Sequence, residues 1–111
     1  MRIEEFDRGD VVLLKVYGRL MGGPDADTFK SRIGSIIAGG KNKVVVDLGR
    51  VSWINSTGLG ILLSAQSALR RNGGELKLAN VTSRIKNIMF ITKLTLIFEC
   101  FDSVEEAIES F

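Results

Sequence analysis

The chain has 111 residues, 45% of them hydrophobic and 25% charged, with 15 basic and 13 acidic side chains for a formal net charge of +2. That length suits one domain with a real core, and the spread glycines and ordinary apolar content exclude disorder, collagen-like repeats and coiled coil. Acids and bases interleave, which argues against nucleic acid as a direct partner; one cysteine and no histidine exclude an internal disulfide, zinc-type sites and Ser-His-Asp or Cys-His catalysis.

In chain order, Arg2 to Phe6 and Val11 to Tyr17 are rich in β-formers and separated by Asp7-Arg8-Gly9-Asp10, so a hairpin opens the fold. Gly18 ends the second strand, and Leu20-Met21-Gly22-Gly23-Pro24 reads as a loop. Pro24 fits a first helical position, Asp25 and Asp27 lie in the first turn, and Ala26, Phe29, Ile33, Ile36 and Ile37 share a helical face up to Gly39-Gly40. Lys43 to Leu48 is a near-continuous apolar run, the mark of a central strand covered on both faces. Gly49 to Ile54 reads as a crossing to a second helix, Ser56 to Arg71, with Leu59, Leu62, Leu63, Ala65 and Leu69 inward and Arg70-Arg71 at the negative dipole end.

Glu75 to Ala79 is a third core strand. Asn80 or Thr82 caps a short helix with Val81, Ile85, Ile88 and Met89 inward, Thr95 to Phe98 is a last short strand, and Asp102 or Ser103 caps a final helix with a stripe of Val104, Ala107, Ile108 and Phe111. The order β-β-α-β-α-β-α-β-α predicts a single α/β domain over residues 1–111, with a mixed, mostly parallel sheet, an N-terminal hairpin and about four helices. Glu4 and Glu5 are unlike a signal peptide, and no apolar run approaches the ~20 residues of a membrane span. The expectation is a soluble, cytoplasmic protein without membrane insertion, metal or cofactor.

The stretch that carries chemistry is Asn55-Ser56-Thr57-Gly58-Leu59-Gly60, where a buried strand hands over to a helix at the sheet's carboxyl edge, the usual location of sites in open α/β folds. Asn55 or Ser56 can cap the helix, and the other hydroxyls then face outward at its positively polarised start. Three readings stand side by side. Both residues can be mere caps, although glycines at 58 and 60 cost about 1 kcal/mol each against alanine and call for a reason such as close approach of another chain. The helix start can hold a phosphate, but Gly-x-x-x-x-Gly-Lys-Ser/Thr and Gly-x-Gly-x-x-Gly are both missing. Nucleophilic attack by Ser56 or Thr57 lacks a histidine base. Trp53, just before the turn, reads equally as a core aromatic or as an anchor for a partner.

Val44-Val45-Val46-Asp47-Leu48 followed by Asn55-Ser56-Thr57-Gly58-Leu59-Gly60 resembles the STAS domain of bacterial anti-sigma factor antagonists, whose usual signature is a strand ending in Asp-Leu and then Asp-Ser-Ser-Gly-Leu-Gly. Gly18-Arg19-Leu20, Gly73-Gly74-Glu75-Leu76-Lys77-Leu78, Ile91-Thr92-Lys93-Leu94 and the tail from Phe98-Glu99 to Ala107 match the family's flanking segments in order.

The resemblance implies a non-enzymatic partner switch. The unmodified antagonist binds an anti-sigma factor that is itself a serine/threonine kinase, a sigma factor is freed, phosphorylation of the second hydroxyl releases the antagonist, and a PP2C-type phosphatase resets it. Carried onto this chain, the phosphoacceptor is Thr57, with Ser56 the alternative. The partner surface comprises Gly22, Gly23 and Asp25 of the loop before helix one, together with Asn55, Ser56, Thr57, Gly58, Leu59 and Gly60. Asn55 stands where the family carries Asp, and Thr57 where Ser is commoner. The alternative within the same family is a non-phosphorylated scaffold or sensor module, as in stressosome-like or lipid-transport complexes.

Overall fold

Alternation along two central strands sets the layers. Val12, Leu14 and Val16 of one and Val44, Val46 and Leu48 of the next point to one face of a sheet; Val11, Leu13 and Val45 point to the other. The computed structural model, which describes residues 1–111, builds these into a five-stranded sheet of order β1-β2-β3-β4-β5. The strands are β1 (Arg2–Arg8), β2 (Val11–Leu20), β3 (Lys43–Ile54), β4 (Glu75–Ala79) and β5 (Cys100–Phe101). β1 runs antiparallel to β2 through the hairpin turn, and all other neighbours are parallel. Helices α1 (Pro24–Ala38), α2 (Ser56–Arg71) and α3 (Ser83–Ile91) cover one face; α4 (Val104–Glu109) covers the other. No helix is long and apolar enough to cross a membrane.

The expected helices form where their signals place them. Pro24 opens α1 with Asp25 and Asp27 in its first turn, and Phe29, Ile33 and Ile36 are its buried residues. Of the alternative caps, Thr82 rather than Asn80 accepts a hydrogen bond from the Ile85 N–H, and Ser103 rather than Asp102 accepts from the Glu106 N–H. Asn80 takes a left-handed φ of 54° instead and donates its amide to Asp47 Oδ1 at 3.1 Å.

Two expected boundaries differ. The segment from Gly49 to Ile54 is not a crossing but the second half of β3, which stays paired with β2 as far as Leu20↔Ile54. The pairing shifts twice, between Lys15 and Tyr17 and again between Gly18 and Arg19, so β3 bulges while Val51 and Ile54 keep their core contacts. The Asp47 carboxylate holds the first bulge by accepting the Gly49 N–H at 2.9 Å. Thr95 to Phe98 is not a strand. Leu94 and Phe98 are both buried at helical spacing, and Leu94–Leu96 forms a single 3-10 turn in which Ile97 and Phe98 donate to the Leu94 carbonyl. β5 begins only at Cys100.

The late start of β5 leaves part of β4 without a neighbour, and a side chain fills the gap. Leu78 and Asn80 donate to the β5 side, to Glu99 O and Phe101 O, and Leu76 would come next in that ladder. Its N–H donates instead to Gln66 Oε1 at 2.7 Å, and Gln66 Nε2 returns a bond to the Leu76 carbonyl at 3.1 Å. Gln66 is 1% exposed on the inner face of α2. Gln66→Leu keeps the volume but orphans a buried N–H, so it should lower stability by about 1–3 kcal/mol in urea denaturation; a change below about 0.5 kcal/mol would show the bond to be dispensable.

α4 is fastened by a small cluster, one buried lysine and an exposed ion pair in which Arg8 of β1 donates to both Glu105 carboxylate oxygens at 2.9 Å. Its core cluster holds Val11, Leu13, Val45, Ala79 and Ala107, flanked by Phe101, Val104, Ile108 and Phe111. Buried Lys77 of β4 donates to Ser110 O at 3.0 Å and to Ser110 Oγ at 2.8 Å, and its ammonium lies 4.3 Å from the Phe111 ring centre.

Candidate functional site

The parallel strands β2 and β3 end together at Leu20 and Ile54, both buried, and the chain turns there into the loop before α1 and into α2. Asn55 is the N-cap of α2. Its extended backbone lets Oδ1 accept the Gly58 N–H at 2.8 Å. The remaining half of the same amide faces the other segment, and Nδ2 donates to the Met21 carbonyl at 3.2 Å. One side chain thus caps α2 and fastens the loop before α1 against it. An aspartate could do the first and not the second. Asn55→Asp should cost about 0.5–1.5 kcal/mol of stability, because the Met21 carbonyl would lose its donor and face a carboxylate. An unchanged urea midpoint would mean that the bond carries no net stability.

Because Asn55 makes the cap, neither hydroxyl is needed for it. Ser56 and Thr57 are the first two residues of α2 and both are exposed. Each hydroxyl stands at the positive end of a 16-residue helix with no acid in its first turn.

The two glycines of the turn have different causes. Gly58 is buried, and a Cβ there would sit 2.0 Å from the Leu20 carbonyl oxygen and 2.8 Å from Ile54 Cγ1. The close approach is therefore to this chain's own β2, not to another molecule. Gly60 has nothing within 4 Å of its missing Cβ, so internal packing does not require it. Gly22 is a third close approach: its φ is +102°, and a Cβ would meet Thr57 Cγ2 at 2.5 Å. The backbone of the loop before α1 thus lies against the Thr57 methyl while the α2 start remains open.

The loop is tied further by Asp25, whose Oδ2 accepts from the Met21 N–H at 3.4 Å, and by backbone bonds from Asp25 N to Gly22 O and from Ala26 N to Gly23 O. So the structure brings Gly22, Gly23, Asp25, Asn55, Ser56 and Thr57 to one corner, with Gly60 one turn along α2. Gly22, Gly58 and Leu59, all buried, differ from the expectation of a presented surface, and Gly22 lies against the Thr57 methyl. Gly58 is buried under Leu20, and Leu59, 3% exposed, belongs to the core. Both hold the turn in place from below.

Trp53 is 41% exposed, which sets aside the reading as a core aromatic. Its neighbours are not legible from spacing: Arg19, Met21, Ser52 and Arg84 join it around a groove of about 250 Å³. Only the register of β2 on β3 and the placement of α3 bring them together. Cys100 is a free thiol whose pKa is pushed up by partial burial, with Lys86 nearby opposing the shift, so it is a poor nucleophile.

Known proteins share this fold. BtrV of Bordetella bronchiseptica, provisionally named an anti-sigma factor antagonist, is 28% identical over 105 residues, covering 95% of this chain and 90% of BtrV. The crystal structure of a Thermotoga maritima protein with the same provisional description superposes with a TM-score of 0.88 at 25% identity, covering 97% of this chain and 92% of that one. The Bacillus anti-sigma factor antagonist SpoIIAA, solved unphosphorylated and phosphorylated, gives TM-scores of 0.76 and 0.77 at 17% and 19% identity; it covers 98% of this chain in both forms, and 96% and 98% of SpoIIAA is matched. At that identity the likeness is one of fold. A sequence profile described as the STAS domain matches residues 6–107. Profile, sheet order and the strand-to-helix turn agree, and the chain belongs to the STAS domain family.

Proposed function

We propose that this chain, as one STAS domain over residues 1–111, is a bacterial anti-sigma factor antagonist acting in the cytoplasm. It binds rather than catalyses. Its unmodified form docks an anti-sigma factor that is also a serine/threonine kinase, and so frees a sigma factor. Phosphate on Thr57, with Ser56 as the alternative acceptor, ends the docking, and a PP2C-type phosphatase restores it.

The observation that carries this reading is Thr57 itself: an exposed residue at the second position of α2, its hydroxyl spared from capping because Asn55 makes the cap. A phosphate there adds about −1.5 to −2 charge, which the helix dipole favours and which no first-turn acid repels. The domain tolerates the modification, while a partner surface laid over Gly23, Asp25, Asn55 and Gly60 does not. The named relatives support the same reading, as does the existence of SpoIIAA in both phosphorylation states.

One observation favours a second reading. Asn55 replaces the acid usual in the family and spends its amide on Met21. If that acid is needed for phosphoryl transfer, the chain is a docking scaffold that is never switched. Incubation with the anti-sigma kinases of its host and ATP, followed by mapping of the phosphate by mass spectrometry, separates the two. Label on Thr57 is the expected result; a kinase that binds but labels neither Thr57 nor Ser56 would leave only the scaffold.

A further inference from the structure

Beside the hydroxyl turn, the carboxyl edge of the sheet carries a second feature that the phosphoacceptor does not use. Arg19 on β2 lies opposite Trp53 on β3 in the parallel ladder. Arg84, in the first turn of α3, sets its guanidinium carbon 5.6 Å from the centre of the Trp53 ring. With Met21 and Ser52 they line the groove of about 250 Å³. All five side chains are exposed, Trp53 at 41% and Met21 at 36%.

Both arginines are without acids. The eight ion pairs of the chain involve neither Arg19 nor Arg84. The acid closest in the chain to Met21, Asp25, is turned back onto the Met21 N–H. Two uncompensated guanidinium groups therefore flank an exposed indole and a thioether. Arginine favours carboxylates through paired, planar hydrogen bonds, and tryptophan and arginine are the side chains most often dominant at protein interfaces. With two apolar side chains, Trp53 and Met21, among its five lining residues, the small groove suits one side chain of a polypeptide. A nucleic acid or lipid surface would instead need a broad basic face, which a net charge of +2 with interleaved signs does not supply.

We infer that the Arg19–Trp53–Arg84 groove receives an acidic segment of the docking protein: one apolar or aromatic side chain packs on Trp53 and Met21, and carboxylates on either side pair with Arg19 and Arg84. The identification of that protein as the anti-sigma factor rests on the function proposed above; the chemistry of the groove does not. The groove adjoins the switch corner through Met21, whose carbonyl Asn55 holds. One partner can therefore cover both, with the groove supplying affinity and Thr57 supplying control.

Trp53 is the single tryptophan of the chain, so its emission reports the groove. The whole protein is titrated with a capped peptide in which glutamates alternate with leucine and phenylalanine, and in parallel with a lysine version of that peptide, an oligothymidylate and phosphatidylserine vesicles. The acidic peptide should shift the emission saturably and bind more weakly as salt rises. Arg19→Glu with Arg84→Glu should lower its affinity about tenfold or more. Both residues are exposed and unpaired, so the thermal midpoint should hold; the milder pair Arg19→Gln and Arg84→Gln serves if it does not. No response to the acidic peptide, equal affinity in the variants, or a response only to oligothymidylate or vesicles would overturn the assignment. The anti-sigma kinase provides the second arm. Loss of kinase binding in Thr57→Glu but not in the arginine variants would remove the groove and keep the switch, and the reverse pattern would keep the groove and remove the switch.

Discussion

Gly58→Ala should cost the domain about 3 kcal/mol or more, or prevent folding altogether. The new methyl would lie 2.0 Å from the Leu20 carbonyl oxygen, at the end of a strand whose terminal residue is fully buried. Backbone has to move, since no flexible side chain is there to give way. The gain in helix propensity, about 1 kcal/mol, is too small to offset that overlap. Gly60→Ala is the matched control. It meets open space and should stabilise the same helix by up to about 1 kcal/mol. Urea denaturation of both variants checks the pair, and a Gly58→Ala midpoint close to the parent's would refute the contact. If Gly60→Ala is stable yet binds its partner poorly, glycine at that position serves the surface rather than the fold.

Thr57→Glu should weaken binding to the anti-sigma factor by about 2–5 kcal/mol, about thirty- to several-thousandfold, while leaving stability nearly unchanged. The two halves of that expectation have separate causes. On the partner side, a charge buried without a counterion opposes docking. On the domain side, a carboxylate at the second position of a helix gains about 0.3–1 kcal/mol from the dipole, which roughly balances the lost contact between the Thr57 methyl and Gly22. Calorimetric titration with the kinase and a thermal melt read the two halves independently. Undiminished affinity would reject the switch. A collapsed melting transition would instead show that position 57 supports the fold.

The comparison of sequence with structure divides along the range of the interactions. Helix starts were legible because their signals are local: Pro24 with Asp25 and Asp27, and Ser103 three residues before Glu106. The central strands were legible because their apolar runs have no other use. The second half of β3 was not, since Gly49, Arg50, Ser52 and Trp53 are polar or exposed and only bulged pairing with β2 makes them a strand. Thr95 to Phe98 misled for a related reason: β-formers pack at helical spacing when Leu94 and Phe98 must reach one core. At the site, motif and resemblance pointed to Thr57 and its corner. They could not say that Gly58 answers to Leu20, that the Asn55 amide reaches Met21, or that Gln66 completes the ladder of β4. Each of those facts joins segments far apart in the chain, and a single sequence carries no trace of which segments meet.

The fastening of α4 has one more consequence. Three helices share a cluster of 24 buried residues on one side of the sheet, whereas the fourth, six residues long, shares a cluster of five on the other. A helix so short has no stability of its own, so the grip of Lys77 on Ser110, the exposed Arg8–Glu105 ion pair and a few aromatic contacts decide whether it stays down. Partial opening of the molecule should therefore begin by peeling this flap while the strand-to-helix corner remains intact. The surface laid bare would be Phe101, Phe111 and the Val11–Leu13–Val45 stripe, an adhesive patch that makes self-association, rather than loss of docking, the first symptom of heat or age.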